Sequence, residues 1–218
     1  MLKKIIIIFG LLLLLTGCNE LEMNDEIIVE ETKINEDFES SMEAALKGAL
    51  AVNQATIEEQ DGNIVFKCTK NNLKKIETVE EATATLKAVQ NELGIKDFSY
   101  KTKVQIIDSE EYNCFLCRQL YKGVQVKDGS FKLFITKDGK FSHIVGQYKD
   151  ITLDSIEPAI SIEEAQEISG YEKVIVRGLF IDNNKLYWRI KTNSGSYVDI
   201  DATTGEIVNS GGSFVADK

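Results

Sequence analysis

Four cysteines and one histidine are the side chains here whose types could carry covalent, redox or metal chemistry. Cys114 and Cys117 stand as C-x-x-C, the spacing of thiol–disulfide exchange. That motif works when its first thiol caps a helix N-terminus, where the dipole stabilises the thiolate. Here it lies inside EYNCFLCRQLY, a strand-like run. On an extended strand, residues three apart face opposite sides, about 10 Å from each other, which is beyond disulfide reach. No redox role is expected. Cys68 is left to bridge Cys114 or Cys117 in an oxidising exterior, with one thiol over; the alternative is three buried, reduced thiols. Zinc held by Cys68, Cys114, Cys117 and His143 has the right ligand count but no recognised ligand spacing, so no metal site is expected. His143 shares the alternation phase of Phe141 and Val145 and reads as a half-buried or edge strand residue with no nucleophile motif beside it. No catalytic residue and no cofactor is expected.

The fourth cysteine has a different context. Lys3 and Lys4 precede an unbroken apolar run from Ile5 to Leu15, then Thr16, Gly17 and Cys18. This is the layout of a secretory leader, and the run is about half the ~20 apolar residues of a membrane-spanning helix. Leu15-Thr16-Gly17-Cys18 resembles a bacterial lipobox. The resemblance implies cleavage before Cys18, a diacylglyceryl thioether on that cysteine, and attachment to the outer leaflet of the cytoplasmic membrane. Residues 1–17 are thus expected to be a signal peptide and residues 18–37 a lipidated acidic tether. Twenty extended residues reach ~65 to 70 Å, so the tether would let the fold stand clear of the lipid.

Net charge is −10 over 218 residues, and loss of Lys3 and Lys4 with the leader takes it two units lower, to −12. A surface this acidic repels phosphates and argues against a nucleic-acid partner. The single proline and the many alternating apolar and polar stretches suit an antiparallel sheet with a few helices.

The elements that must position the thiols and the histidine follow from spacing. Phe38, Met42, Ala45, Leu46 and Ala49 share one helical face. Asp61-Gly62 joins two short runs, and Ile64, Phe66 and Cys68 alternate as one face of a hairpin strand, with Cys68 pointing into a core. Thr78 and Glu81 form a capping box ahead of Val79, Ala82, Leu86, Val89 and Leu93, and Gly94 stops that helix. Strands are expected at 99–107, 112–121, 130–136 and 140–148, with Asp138-Gly139 as a tight turn and Phe131, Leu133 and Ile135 facing inward. Beyond Pro158, Ser161 and Glu164 cap a short helix that Gly170 ends. Strands at 173–182, 185–191, 196–201 and 206–208 follow, with Leu186, Trp188 and Ile190 on a face covered by that helix. Two helix-then-antiparallel-sheet units in series make the fold class α+β. The first unit is expected over 38–153, and the second over 154–218 with its tail.

From Tyr121 the chain reads YKGVQVKDGSFKLFITKDGKFSHIVGQY. In Tyr121, Gly123, Val124, Val126, Gly129, Asp138-Gly139, Gly146 and Tyr148 it resembles the propeptide of fungalysin and thermolysin-like zymogens. Ser161 to Ala165, Trp188-Arg189-Ile190, Tyr197 to Asp201 and Thr204-Gly205 resemble the PepSY module that follows it there. Together these motifs span residues 76–209 and imply cystatin-like and PepSY-like units. In such zymogens the modules assist folding of a catalytic domain and block its cleft. This chain has no His-Glu-x-x-His, and one histidine cannot build a two-histidine zinc site. The resemblance therefore implies a non-catalytic inhibitor or chaperone acting on a separate secreted metallopeptidase, or on another envelope protein.

Glycines at 123, 129, 139 and 205 read as positive-φ or tight-turn positions. Tyr121, Tyr148 and Trp188 read first as packing. Tyr121 and Trp188 are also carried as candidate partner-binding residues, together with Phe214 and Val215 in the glycine-led tail, which could add as a strand in a protease cleft.

Overall fold

The computed structural model describes residues 30–70 and 72–212. Within them the elements run α1 (Glu36–Ala51), β1 (Ala55–Gln60), β2 (Asn63–Cys68), α2 (Val79–Ala88), β3 (Tyr100–Gln105), β4 (Tyr112–Tyr121), β5 (Val124–Thr136), β6 (Phe141–Gln147), α3 (Ile162–Ser169), β7 (Val174–Asp182), β8 (Lys185–Thr192), β9 (Tyr197–Asp201) and β10 (Ile207–Gly211). The fold is α+β. Cys18, Phe214 and Val215 lie outside the described residues.

Each helix begins where a side chain satisfies the free amides of its first turn. Asn35 Oδ1 accepts from the Phe38 amide at 3.1 Å, and Phe38, Met42, Leu46 and Ala49 are buried on one face of α1. Thr78–Glu81 and Ser161–Glu164 both form reciprocal capping boxes. The helix after Thr78 is shorter than its apolar spacing suggests. It ends at Ala88, because Val89 leaves helical geometry at φ −118° and the bonds Val89→Leu86 and Gln90→Lys87 tighten the chain into turns. Leu93 is still buried, and Gly94 still adopts a positive φ.

One mixed sheet runs through the described residues in the order β1-β2-β6-β5-β7-β8-β9-β10, with β4 on the other side of β5 and β3 beyond β4. All pairings are antiparallel except β5–β7, which pairs Gln125 with Phe180 and Val126 with Ile181 in parallel. β5 is the branch point. It is 13 residues long, where sequence spacing predicts a strand only from Ser130, because its first residues pair with β4 and β7 before an irregularity and its last seven pair with β4 and β6. At that irregularity Asp128 takes a φ of 59° and Gln119 closes the gap, its Nε2 donating to Lys149 O at 2.6 Å and its Oε1 accepting from Lys149 N at 2.9 Å. Gly129 is needed there for room, not for positive φ. A Cβ would stand 2.5 Å from Gln119 Oε1 and 3.0 Å from Val126 Cγ1.

Buried apolar side chains gather in two clusters. The first lies between α1 and α2 and one face of the sheet, with Phe66, Phe131, Leu133 and Ile144 at its centre. The second joins Ala165 of α3 to Leu179, Ile181, Leu186, Trp188, Ile190 and Ile200, and takes in Val124 at the start of β5. Burial of this apolar area is the main stabilising term for both.

Candidate functional site

Strand alternation separates the thiols and fixes the environment of each. Cys117 faces α2 among the first cluster, whereas Cys114 faces the opposite side of the sheet. Both are buried and free, as is Cys68. Desolvation pushes the Cys117 thiol up to about 12, against a smaller lowering from the Thr102 hydroxyl, and pushes Cys114 up to about 11 with Lys132 opposing. Thiols so poorly ionised are weak nucleophiles. The bridge expected from Cys68 to Cys114 or Cys117 does not form. Lys67, next to Cys68, aligns with His143 of β6, then Phe134 of β5, then Cys114 of β4. Three inter-strand spacings, roughly 14 Å, separate β2 from β4, against a Cα limit near 7 Å for a disulfide. No group of three or more His, Cys, Asp or Glu side chains suited to a metal ion occurs among the described residues.

His143 sits in a small aromatic cluster on the sheet face turned away from α1 and α2. Its ring stacks on Phe134 at 4.4 Å between centroids, and Tyr112 meets both rings edge-on. Ser142 Oγ lies 2.9 Å from Nδ1. Burial lowers the His143 pKa, and the nearby Lys67 charge lowers it further.

The same outer face carries five of the six Lys and Arg side chains of β1–β6. Beside the row that holds Lys67 and Phe134 runs a second, in which Val65, Val145, Lys132, Leu116 and Lys103 are neighbours across β2, β6, β5, β4 and β3. In a third row Ser130, Arg118 and Lys101 align. Five cations, Lys67, Lys101, Lys103, Arg118 and Lys132, thus share one face. Among the residues paired in these three rows across β1–β6 Glu58 is the one carboxylate, 3.8 Å from Lys67. Val65 and Leu116 are buried although the helices lie on the other side, with Lys132 and Lys103 as their neighbours in the same row. Sequence alternation on each strand contained this face, but only the register across five strands assembles it.

Two residues expected to meet a partner are used internally. Trp188 is 1 % exposed and its indole N–H donates to Ile160 O at 3.0 Å, so its ring has no surface to offer, which corrects the binding role given to it. It shares the inward phase of β8 with Leu186 and Ile190, as its spacing predicts. Tyr121 is half-buried, packs against the second cluster and donates from its hydroxyl to Leu153 O at 2.6 Å. Between β8 and β9, Arg189 makes a bidentate pair with Asp199 at 2.7 and 2.8 Å and lies over the rings of Phe180 and Tyr197. Its charge is fully engaged within the fold. Spacing gave no sign of this network.

No helix among the described residues is long and apolar enough to cross a membrane. No curated protein matches the chain. Among solved structures it is similar to the Bacillus megaterium YpeB C-terminal domain, at a TM-score of 0.42 and 16 % identity, covering 84 % of this chain and 98 % of that one. Residues 3–19 match the prokaryotic membrane lipoprotein lipid attachment site, a span that includes Cys18 and its apolar leader.

Proposed function

We propose that this chain is a non-catalytic lipoprotein, held on the extracytoplasmic side of the membrane through Cys18, that binds a secreted metallopeptidase and restrains it or assists its folding. The observation that carries the anchoring half is the lipid attachment match over residues 3–19. The peptidase half rests on the ordered propeptide-like and PepSY-like motifs between residues 76 and 209. Two acyl chains hold a protein on a bilayer stably, so the partner would be met at the cell surface. Among the described residues β10 pairs with β9 alone, and the tail follows it in sequence. Phe214 and Val215 would then enter the cleft as a continuation of that edge, with an apolar side chain in a specificity pocket.

The test is residual activity of a secreted thermolysin-like peptidase titrated with the mature chain and with a chain ending at Val208. Saturable inhibition that disappears with the tail is the expected result. Full activity at large excess, with no gain in refolding yield of the peptidase, would reject a peptidase partner. A second reading, an envelope lipoprotein that binds another protein or a surface, would then stand; the cationic outer face favours it.

A further inference from the structure

The cations on the outer sheet face stand out in a chain whose mature charge is −12. Lys67, Lys132, Arg118, Lys101 and Lys103 extend across five adjacent strands, roughly 19 Å, and among the strand residues paired with them in β1–β6 Glu58 alone offsets them. Lys67, Lys101 and Lys132 are exposed. These charges are spread over a sheet surface and do not converge on a pocket. That arrangement suits a layer of anions better than a single carboxylate or phosphate.

The position of the face relative to the anchor narrows the choice. Thr32 lies against β3, its amide donating to Tyr100 O at 2.9 Å and its hydroxyl accepting from the Thr102 amide at 2.7 Å. β3 is the outer strand of the β3–β4–β5 side and itself supplies Lys101 and Lys103 to the face. The segment that carries Cys18 therefore joins the fold at the rim of the cationic surface, 14 residues from the cysteine. Tyr112 and Phe134 add aromatic surface of the kind that settles at a lipid–water boundary.

We infer that this face docks on the anionic headgroup layer of the membrane to which the chain is anchored, orienting the fold with α1 and α2 turned away from the lipid. The inference rests on the lipoprotein reading for its biological setting. The electrostatic contact itself does not require the lipid. Each Lys or Arg at an anionic surface strengthens binding about fivefold, and the attraction decays within a Debye length, ~8 Å at physiological salt.

The experiment is co-sedimentation of the mature chain carrying Cys18→Ser, and so without lipid, on vesicles of phosphatidylcholine with and without 40 mol % phosphatidylglycerol. Expected is binding to the anionic vesicles only, abolished by 0.5 M salt and weakened about 100-fold in Lys101→Gln/Lys103→Gln/Lys132→Gln. A Lys173→Gln/Lys185→Gln control, on exposed residues just before β7 and at the start of β8, should bind as the parent does, and matching far-ultraviolet spectra and melting curves certify all three folds. Equal binding to both vesicle types, equal loss in the control, or tighter capture of polyglutamate than of vesicles would overturn the inference, the last in favour of an acidic protein partner. Binding that emerges only when residues 19–29 are deleted would also overturn it, since Glu20, Glu22, Asp25 and Glu26 would then be the occupants of the face. A mass spectrum of the native N-terminal peptide tests lipidation separately, so the two readings can fail independently.

Discussion

Gly146 on β6 has no room for a side chain: a Cβ there would collide with the Ser130 carbonyl oxygen and stand 2.7 Å from Phe131 Cα. Neither atom can yield, because both belong to the backbone of β5, which is paired on both sides. Gly146→Ala should cost about 3 kcal/mol or more, read as a lowered urea midpoint. His143 makes a pH-dependent contribution of known sign. Its folded pKa lies below the ordinary 6.5 through burial and the Lys67 charge, so as pH falls the unfolded chain takes up this proton first. The contribution is intact above about pH 6.5 and is lost as pH falls through 6.5 toward the folded value. His143→Phe keeps an aromatic ring against Phe134 and should flatten that part of the stability profile between pH 7.5 and 5.5. A variant whose urea midpoints track the parent over this range would refute the assignment.

At the level of elements, the helices are short and depend on their ends. α2 has 10 residues and α3 has 8, fewer than an isolated helix needs to persist in water, so caps and tertiary packing hold them. Thr78→Ala removes the acceptor for the Glu81 amide and should cost about 1 kcal/mol, a fall of ~2 to 4 °C in the melting temperature. α2 is the larger loss of the two if it frays, since Ala82, Ala84, Leu86 and Ala88 all enter the first cluster, whereas α3 gives only Ala165 to the second among its fully buried residues. The hairpin turns are equally local. Asp61-Gly62 and Asn183-Asn184 have positive φ at both residues, as a two-residue connection with native strand twist requires.

For the whole molecule, the lipid attachment match makes one cysteine the point of attachment to a membrane, with no spanning helix among the described residues beside it. Cys18→Ser should abolish incorporation of labelled palmitate and leave the chain held to the membrane only by salt-sensitive contact, so that high salt moves it to the medium; metabolic labelling and cell fractionation check the two. Retention of the variant in membranes at physiological salt, followed by release at high salt, would indicate that the cationic sheet face contributes to anchoring.

Local sequence contained the helix starts, the tight turns, the alternation of Phe131, Leu133 and Ile135, and the inward phase of Trp188, because each depends on neighbours within a few residues: capping boxes, positive-φ pairs and strand pleat. It also contained the lipid attachment site, a linear pattern read before folding. What lay between distant strands was not legible. Cys68 and Cys114 could be paired on paper, yet strand order puts β6 and β5 between them. Gly129 looked like a turn residue and is instead a gap for the Gln119 amide, 10 positions earlier on another strand. Lys67, Lys132 and Lys103 are ordinary solvated lysines on their own strands, and they become one cationic face only when the register of five strands brings them together. Register is set by how whole strands bury their apolar sides against α1 and α2, and that energy is not divisible into local sequence signals.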